Sequence, residues 1–343
     1  MRERELTRSP VRVLVVDDSP LIRAWMAEVI AQQAGFEVVG TAGDGMEACT
    51  RTAQLRPDVV TMDLRMPNAD GFTGIARIMA ERPTPILVLT AEPLAPNSFR
   101  ALSLGALDVM QKPTSPDERT FGPALAARLR LLAGTPVIRH VRGLREDRPP
   151  PQPVAPRGRT EIVAIAASLG GPRAMGRLLK QIPREHKVPI VVVQHMADGF
   201  TTGLVRWLCQ ETGHDVREAE DGEALTPGPI RFAPAGKHLL VRRGSLHLDE
   251  GPPQHGFRPS ATPLFRSVAR AFGATACGVI LTGMGDDGSD GLRALRDAGG
   301  YTLAQSADSC AVFGMPRAAI EAGAVERVMP LEQIAATLAE VVA

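Results

Sequence analysis

Three buried-strand patterns in the second half of the chain each end at a reactive side chain. These side chains are Ser168, His195 and the aspartate pair Asp286 and Asp287. A serine hydroxyl is a poor nucleophile until a base takes its proton, and an imidazole serves as that base when a carboxylate fixes its tautomer. The three side-chain types therefore suit nucleophilic catalysis, provided that the fold brings them to one place.

The strand over residues 162–167 stops at Ser168, and the chain then turns through two glycines into a helix near Pro172. Such a turn exposes the serine oxygen at the carboxyl end of a sheet, beside the free N–H groups of a helix amino terminus. The stretch 166–170 (Ala-Ala-Ser-Leu-Gly) approaches the G-x-S-x-G nucleophile pattern, with alanine in the first glycine position. A phosphate-binding turn is the main rival interpretation of this motif alone. His195 could equally be a satisfied core histidine, so its position by itself leaves both interpretations open.

The first 130 residues alternate short apolar runs with amphipathic stretches, which is typical of a parallel sheet covered on both faces by helices. We predict strands at 11–16, after Phe36, at 58–64, 85–90 and 108–111, and helices at 21–33, 45–55, 72–80, 98–105 and 118–132. Five such units predict a doubly wound, flavodoxin-like α/β domain, whose site lies at the carboxyl ends of its strands.

Charged and polar side chains occupy those strand ends. Asp17 and Asp18 close the first strand, Asp63 the third and Thr90 the fourth, and Lys112 follows the fifth. Three carboxylates brought together need a cation, and hard oxygen ligands favour Mg²⁺. A lysine and a hydroxyl beside them suit a phosphoryl group carried by one carboxylate. We therefore predict a Mg²⁺ site formed by the three aspartates.

The length of 343 residues exceeds that of a typical single core and predicts two domains. Residues 134–159 are rich in proline and arginine and carry too few apolar side chains to pack, so they are predicted to form a linker. The predicted domains are therefore residues 1–133 and 160–343. Strands and helices also alternate in the second domain, which predicts another doubly wound α/β sheet.

A formal net charge of +1 argues against a dedicated nucleic-acid binder, which needs a clustered basic surface. No apolar run reaches the roughly 20 residues of a membrane span, and the amino terminus lacks a signal-peptide core, so we expect a cytoplasmic protein without direct membrane insertion. The four cysteines are scattered without metal-type spacing and are predicted to be reduced thiols.

The sequences Val-Val-Asp17-Asp18-Ser, Met-Asp63-Leu-Arg-Met-Pro, Leu-Thr90-Ala and Lys112-Pro resemble the receiver domain of two-component response regulators. The resemblance implies that Asp63 takes a phosphoryl group from a CheA-type histidine kinase with Mg²⁺ bound, and that Thr90 and Lys112 form the switch. One position departs from the family pattern. Val109 stands where an aromatic residue usually reports phosphorylation.

The second domain contains Ala-x-Ser168-x-Gly-Gly-Pro, Gln-His195-Met, Arg-Pro-Ser260, Leu-Thr-Gly-Met284-Gly-x-Asp287-Gly and Phe-Gly-Met-Pro316. These motifs resemble the catalytic domain of the CheB family of protein-glutamate methylesterases. The resemblance implies Ser168 as nucleophile, His195 as general base and acid, Asp287 as orienting carboxylate and the Met284 N–H in the oxyanion hole, with no cofactor for the ester reaction.

That family hydrolyses glutamate γ-methyl esters on methyl-accepting chemoreceptors during chemotaxis adaptation, commonly also deamidates receptor glutamines, and is activated by phosphorylation. Two positions depart from its pattern: Leu169 replaces a common threonine, and Thr262 replaces a common aspartate. We expect the second change to remove a carboxylate near the substrate mouth.

Two other functions compete with the esterase interpretation. One is a phosphate-sink or receptor-binding adaptor with a degenerate esterase domain, against which the intact Ser168, His195 and Asp287 argue. The other is a transcription factor, which would need a basic recognition helix that the second half does not offer.

Overall fold

The computed structural model describes residues 9–66, 70–91, 96–113, 120–135, 137, 158–196 and 199–343. The chain divides into two compact units, one built mainly from residues before 143 and the other mainly from residues after it. Most of the predicted linker, 134–159, and Pro67 of the receiver motif lie outside the described residues. The predicted domain boundaries therefore stay predictions.

The first unit is a parallel sheet in the strand order β2-β1-β3-β4-β5, with helices between successive strands. Its strands are β1 (Val11–Val16), β2 (Phe36–Ala42), β3 (Val59–Asp63), β4 (Ile86–Thr90) and β5 (Asp108–Gln111). Its helices are α1 (Pro20–Ala31), α2 (Gly45–Leu55), α3 (Gly71–Glu81), α4 (Pro96–Leu104) and α5 (Phe121–Ala133). This order is that of flavodoxin-like folds, which confirms the predicted fold class.

Burial explains why these strands were easy or hard to predict. Every residue of β3 and β4 is buried, because helices cover both faces of a doubly wound sheet, and the sequence there is mostly apolar. Strand β2 lies at the sheet edge and is mostly half-buried, so its apolar pattern is weaker.

The second unit is a seven-stranded parallel sheet in the order β14-β13-β12-β6-β7-β9-β8, with a separate antiparallel hairpin, β10–β11. The strands are β6 (Ile162–Ala167), β7 (Ile190–Gln194), β8 (Val216–Glu218), β9 (Ile230–Phe232), β10 (His238–Arg242), β11 (Ser245–Asp249), β12 (Ala276–Ile280), β13 (Tyr301–Gln305) and β14 (Arg327–Met329). The helices are α6 (Gly171–Leu179), α7 (Phe200–Thr212), α8 (Ala261–Phe272), α9 (Ser289–Asp297), α10 (Met315–Glu321) and α11 (Leu331–Val341), with a 3-10 turn at Gly273–Thr275.

The central strand β6 is the point where the direction of winding changes. The chain proceeds from β6 to β7 on one side and later returns to place β12 on the other side of β6. In doubly wound sheets, ligands bind in the crevice at the carboxyl ends of the strands at such a switch point. The predicted second α/β sheet is confirmed, and its crevice lies where β6, β7 and β12 end.

The hairpin β10–β11 holds helix α8 in place beside this crevice. Leu239, Val241 and Leu246 of the hairpin belong to the same buried cluster as Leu264 and Val268 of α8. Burying each such side chain contributes about 1.5–3 kcal/mol. The amino terminus of α8 is thereby fixed near the end of β12.

None of the described helices is long and apolar enough to cross a membrane. All four cysteines are free thiols, of which three are buried and Cys209 is half-buried.

Candidate active site

Ser168 follows the last residue of β6 and opens the turn into α6. Its N–H donates to the carbonyl of Thr282 (3.0 Å), and its own carbonyl accepts from Gln194 Nε2 (2.8 Å). Gly170, which precedes α6, has a φ of +75°, and a Cβ there would lie 2.5 Å from Cβ of Ala311. The turn therefore requires glycine, and its hydrogen bonds fix the serine at the mouth of the sheet.

His195 occupies the equivalent position on the neighbouring strand. The register of β6 and β7 pairs Ala167 with Gln194, and the His195 N–H donates to the Ala167 carbonyl (3.0 Å). Since neighbouring strands are about 5 Å apart, Ser168 and His195 have adjacent backbones. Only 8% of each residue is exposed.

Asp287 binds the imidazole from the other side of the crevice. Its Oδ2 lies 2.8 Å from His195 Nε2, and the residue is completely buried. Four further donors come from the start of α8: Ser260 Oγ (2.6 Å), Ala261 N (2.7 Å), Thr262 Oγ1 (2.8 Å) and Thr262 N (3.1 Å). The carboxylate thus accepts five hydrogen bonds, one of them from the imidazole.

These contacts decide the ionisation of the pair. Burial alone would raise the pKa of Asp287, but the hydrogen bonds from His195, Ser260 and Ala261 outweigh it and hold the pKa well below its usual range. The ionised carboxylate accepts, so His195 Nε2 carries the donated hydrogen. His195 Nδ1 is buried and has no hydrogen-bond partner within the described part of the chain. That nitrogen has a free lone pair with which to act as a base.

Ser168 and His195 are neighbours, but no hydrogen bond joins the serine hydroxyl to the imidazole among the described residues. Catalytic hydrogen bonds are often long without substrate and tighten only in the complex. The structure brings His195 and Asp287 into contact and sets Ser168 on the adjacent strand. The hydroxyl–imidazole contact stays a prediction.

The loop after β12 lies beside the nucleophile. A Cβ on Gly283 would be 2.8 Å from Cβ of Ser168, and the Gly283 carbonyl is occupied by the N–H groups of Gly314 and Met315 (both 2.9 Å). Met284 is 41% exposed, and its N–H has no hydrogen-bond partner in the ranges that the structure covers. This N–H is available as an oxyanion donor, and its role in the reaction stays a prediction.

Two contacts were missed by sequence reasoning. Phe257 stacks on the imidazole of His195, and Ser260 binds the Asp287 carboxylate. The Arg-Pro-Ser motif pointed to Ser260 as part of the family pattern, but no pattern in the sequence links Phe257 to His195.

The expected position of Thr262 was wrong. Thr262 is buried beneath Asp287 and does not lie at the substrate mouth. The reason is that Ser260 caps α8 and the first turn of the helix points inward, so that Thr262 Oγ1 donates to Asp287 and accepts from the Gly288 N–H (2.9 Å).

The side chains of the neighbouring residues Asp286 and Asp287 point in different directions. Asp286 is exposed, and its Oδ1 lies 3.1 Å from His255 Nδ1, whereas Asp287 points inward.

His238 is buried, accepts from the Ser260 N–H at Nδ1 (3.1 Å) and contacts the Pro252 carbonyl through Nε2 (3.1 Å). This histidine holds the backbone that presents Ser260.

In the first unit, the predicted acidic pocket forms around Lys112. Its Nζ lies 2.6 Å from Asp17 Oδ2 and 2.7 Å from Asp63 Oδ1, and the Lys112 N–H donates to the carbonyl of Thr90 (2.8 Å). Asp17 and Asp63 are buried and Asp18 is exposed. Burial raises the pKa of Asp63, and the lysine offsets that rise only in part. Burial by itself would lower the pKa of Lys112, but the two carboxylates raise it overall.

The oxygen donors of this pocket fit Mg²⁺ in chemistry, since Asp17 and Asp63 already converge on one positive charge. No group of three metal-ligating side chains is assembled in the described ranges, because Asp18 remains at the surface. The three-aspartate ligand set therefore stays a prediction. Val109 is buried in β5, at the position where the family pattern has a ring.

Comparison with known proteins agrees with both halves of this description. Residues 163–338 match the family model described as CheB methylesterase, and residues 13–120 match the response regulator receiver domain. The protein-glutamate methylesterase/protein-glutamine glutaminase 2 of Anaeromyxobacter dehalogenans (strain 2CP-C) is 56% identical over 332 residues, which cover 96% of this chain and 97% of that protein.

The protein-glutamate methylesterase/protein-glutamine glutaminase 4 of Myxococcus xanthus (strain DK1622) is 43% identical over 344 residues and 97% of each chain. The solved catalytic domain of Thermotoga maritima CheB methylesterase aligns with a TM-score of 0.51 at 36% identity, covering 54% of this chain and 100% of that domain. With its switch-point serine, its buried imidazole–carboxylate pair and these matches, the chain belongs to the CheB methylesterase family and carries a response regulator receiver domain ahead of its esterase domain.

Proposed function

We propose that this chain is a phosphorylation-activated protein-glutamate methylesterase that hydrolyses glutamate γ-methyl esters on chemoreceptors in chemotaxis adaptation. The observation that carries the proposal is the buried hydrogen bond between His195 Nε2 and Asp287 Oδ2 (2.8 Å), next to the strand end that holds Ser168. The names of the related Anaeromyxobacter and Myxococcus proteins support the substrate. We expect the reaction to take place in the cytoplasm.

Acylation begins when Ser168 Oγ attacks the ester carbonyl carbon and its proton passes to His195 Nδ1, the nitrogen that has no other partner in the described chain. Asp287 stabilises the resulting imidazolium through Nε2. The carbonyl oxygen becomes an oxyanion, for which the Met284 N–H is available. When the bond from carbon to methoxy oxygen breaks, the imidazolium gives its proton to that oxygen and methanol leaves.

Deacylation repeats these proton transfers with water. His195 Nδ1 takes a proton from a water molecule, whose oxygen attacks the acyl carbon. The bond to Ser168 Oγ then breaks, and the imidazolium returns the proton to the serine. The glutamic acid product loses its remaining proton to solvent and leaves as the carboxylate. A receptor glutamine passes through the same intermediate with ammonia as leaving group, so we also propose glutaminase activity.

The receiver half supplies the regulation. We propose that a CheA-type histidine kinase transfers a phosphoryl group to Asp63, with Asp17, Asp18 and Asp63 as the residues that would hold Mg²⁺. When bound, that ion neutralises charge on the phosphoryl oxygens. Lys112 already contacts Asp63 and would pair with the new phosphoryl group, while Thr90 ends the neighbouring strand. Activation is then a population shift towards an esterase-competent state.

The test is methanol release from methylated receptor, with and without acetyl phosphate. We expect release by the wild type, stimulation by the phosphodonor and loss of several orders of magnitude in Ser168→Ala. Asp63→Asn should keep the unstimulated rate and take up no phosphoryl group. Near-normal turnover by Ser168→Ala would overturn the catalytic assignment, and undiminished labelling of Asp63→Asn would overturn the phosphorylation site.

The degenerate-esterase adaptor finds no support in the site. A protein that only binds receptors has no use for an ionised carboxylate that accepts five hydrogen bonds and holds an imidazole against the crevice. A wild-type chain that binds receptor but releases no methanol would revive that alternative.

A further inference from the structure

The aromatic ring of Phe257 covers one face of the predicted general base. Its centroid lies 4.0 Å from that of the His195 imidazole, and the two ring planes are only 3° from parallel. The hydrogen bond from Nε2 to Asp287 fixes the imidazole within its own ring plane. The stacked Phe257 ring restricts the remaining motion, which is tilting of the imidazole out of that plane. Nothing in the proposed reaction so far uses this contact.

The backbone that presents Phe257 is a tight turn. Gln254 and Phe257 exchange two backbone hydrogen bonds (3.0 and 2.9 Å), and the residues between them, His255 and Gly256, have φ values of +51° and +81°. Positive φ at both central positions is the signature of a type I′ turn.

Contacts on both sides anchor this turn. His255 Nδ1 lies 3.1 Å from Asp286 Oδ1, in the loop that also carries Asp287. Arg258, which directly follows Phe257, donates through Nη1 to the carbonyls of Glu250 (2.9 Å) and Gly251 (3.1 Å). The ring is thus tied to the loop that orients the imidazole from the other side.

We propose that Phe257 is a positioning residue that favours the charged form of His195 during catalysis, an inference that rests on the proposed esterase function. The face of an aromatic ring is electron-rich and attracts a cation within about 6 Å of its centroid. Neutral imidazole gains little from this attraction, whereas the imidazolium formed when Ser168 attacks gains it in full. An interaction that is stronger in the transition state than in the ground state raises kcat.

The charged surroundings of His195 determine the pH dependence expected from this contact. Asp287 touches it from the loop after β12, and the Asp286–His255 pair lies on the outer side of that loop. Replacing Phe257 by leucine keeps hydrocarbon over the imidazole but removes the electron-rich face. The imidazolium then loses this stabilisation, so proton transfer from Ser168 to the imidazole becomes less favourable.

The decisive experiment compares Phe257→Leu with Phe257→Tyr in the full-length chain. For Phe257→Leu we expect kcat for methanol release to fall about tenfold at unchanged KM, with the acid limb of the kcat–pH profile displaced to lower pH. Phe257→Tyr keeps the aromatic face and should restore both. A matched control is Phe272→Leu, since Phe272 stacks under Arg243 at the far end of α8 and should leave both quantities unchanged.

A second readout separates this inference from the proposed function. Labelling of Ser168 by a fluorophosphonate requires the base but no receptor. Its rate should therefore rank the variants as methanol release does, with Phe257→Tyr near wild type and Phe257→Leu about tenfold slower. The role of the ring would be overturned if Phe257→Leu reacted at the wild-type rate or faster and the acid limb of its kcat–pH profile did not move. It would also be overturned if Phe257→Tyr lost as much activity as Phe257→Leu. Phe257→Met provides a second non-aromatic variant if the leucine chain fails to fold. No methanol release by wild type would instead remove the esterase assignment.

Discussion

The two halves of the chain each place a buried aspartate at the end of a central parallel strand or just beyond it, and the two aspartates differ in what surrounds them. Among the described residues, Asp63 shares Lys112 with Asp17 and otherwise accepts only the N–H of Arg65 (3.1 Å). Asp287 accepts four hydrogen bonds from the start of α8 in addition to the imidazole. Burial therefore dominates at Asp63 and raises its pKa, whereas at Asp287 the hydrogen bonds outweigh burial and lower it.

The difference matches two kinds of chemistry. A carboxylate with few partners keeps oxygen lone pairs that can attack a phosphoryl group, and its charge is relieved by that reaction or by a cation. A carboxylate whose lone pairs are all occupied cannot react and serves to hold its partner. The neighbouring loop and helix start determine how many donors surround a buried aspartate. That number thus distinguishes a carboxylate that can accept a phosphoryl group from one that orients a partner side chain.

The largest expected effect comes from removing the charge at the fully bonded site. Asp287→Asn should lower kcat for methanol release by about four orders of magnitude, because an amide favours the wrong imidazole tautomer and cannot stabilise the imidazolium. Asp290→Asn, which changes an exposed aspartate at the start of α9, is the control and should stay within about twofold of wild type. A mild defect in Asp287→Asn would remove the distinction between the two aspartates.

The same pair of sites should respond oppositely in stability. Asp287→Asn should lower the free energy of unfolding by about 2 kcal/mol at neutral pH, because buried donors lose a charged acceptor. Asp63→Asn should leave it unchanged or raise it by about 1 kcal/mol, because one of two carboxylates that share a lysine is neutralised. Chemical denaturation of both variants measures this directly, and a loss of equal size in both would contradict the comparison.

The pH dependence sharpens the same point. With its pKa lowered from 3.8, Asp287 contributes stability at neutral pH that is lost as the pH falls below about 4, because the unfolded chain takes up the proton first. With its pKa raised from 3.8, Asp63 destabilises the fold at neutral pH, and this cost vanishes as the pH falls and the folded state takes up the proton. The deficit of Asp287→Asn should therefore shrink in acid. The gain in stability of Asp63→Asn over the wild type should also shrink in acid, because protonation of Asp63 then removes the cost in the wild type.

A smaller effect is expected when one of the five hydrogen bonds to Asp287 is removed. Thr262→Val removes the hydroxyl that donates to Asp287 and accepts from Gly288, and it should lower kcat about tenfold and stability by about 1–2 kcal/mol. Thr262→Ser keeps the hydroxyl and should retain most of both. Equal rates for the valine and serine variants would show that the hydroxyl does not support the carboxylate.

The sequence was most informative where burial is complete. Strands β1 and β6 begin and end at the predicted residues, because strands buried on both faces read as nearly continuous apolar runs with polar ends. The short strands β8 and β9 lie at one side of the second sheet, and neither has a comparable apolar run that would predict its bounds.

The site was predictable to the extent that it lies at strand ends. Ser168 and His195 could be placed at one sheet edge because parallel strands all end there. Phe257 could not be linked to His195, since a loop contact depends on how the turn folds back in three dimensions. Helix α8 begins at Ala261 after its Ser260 cap, and its first turn carries Thr262 inward to Asp287, a contact that no sequence pattern predicts.

The central claim is that His195, held by Asp287, takes the proton of Ser168. The most direct test is to treat the full-length chain with a fluorophosphonate and to locate and time the adduct by peptide mass spectrometry. We predict an adduct on Ser168 in the wild type that forms at least about a thousandfold more slowly in His195→Gln. An adduct on another residue, or one on Ser168 whose rate does not depend on His195, would contradict the claim.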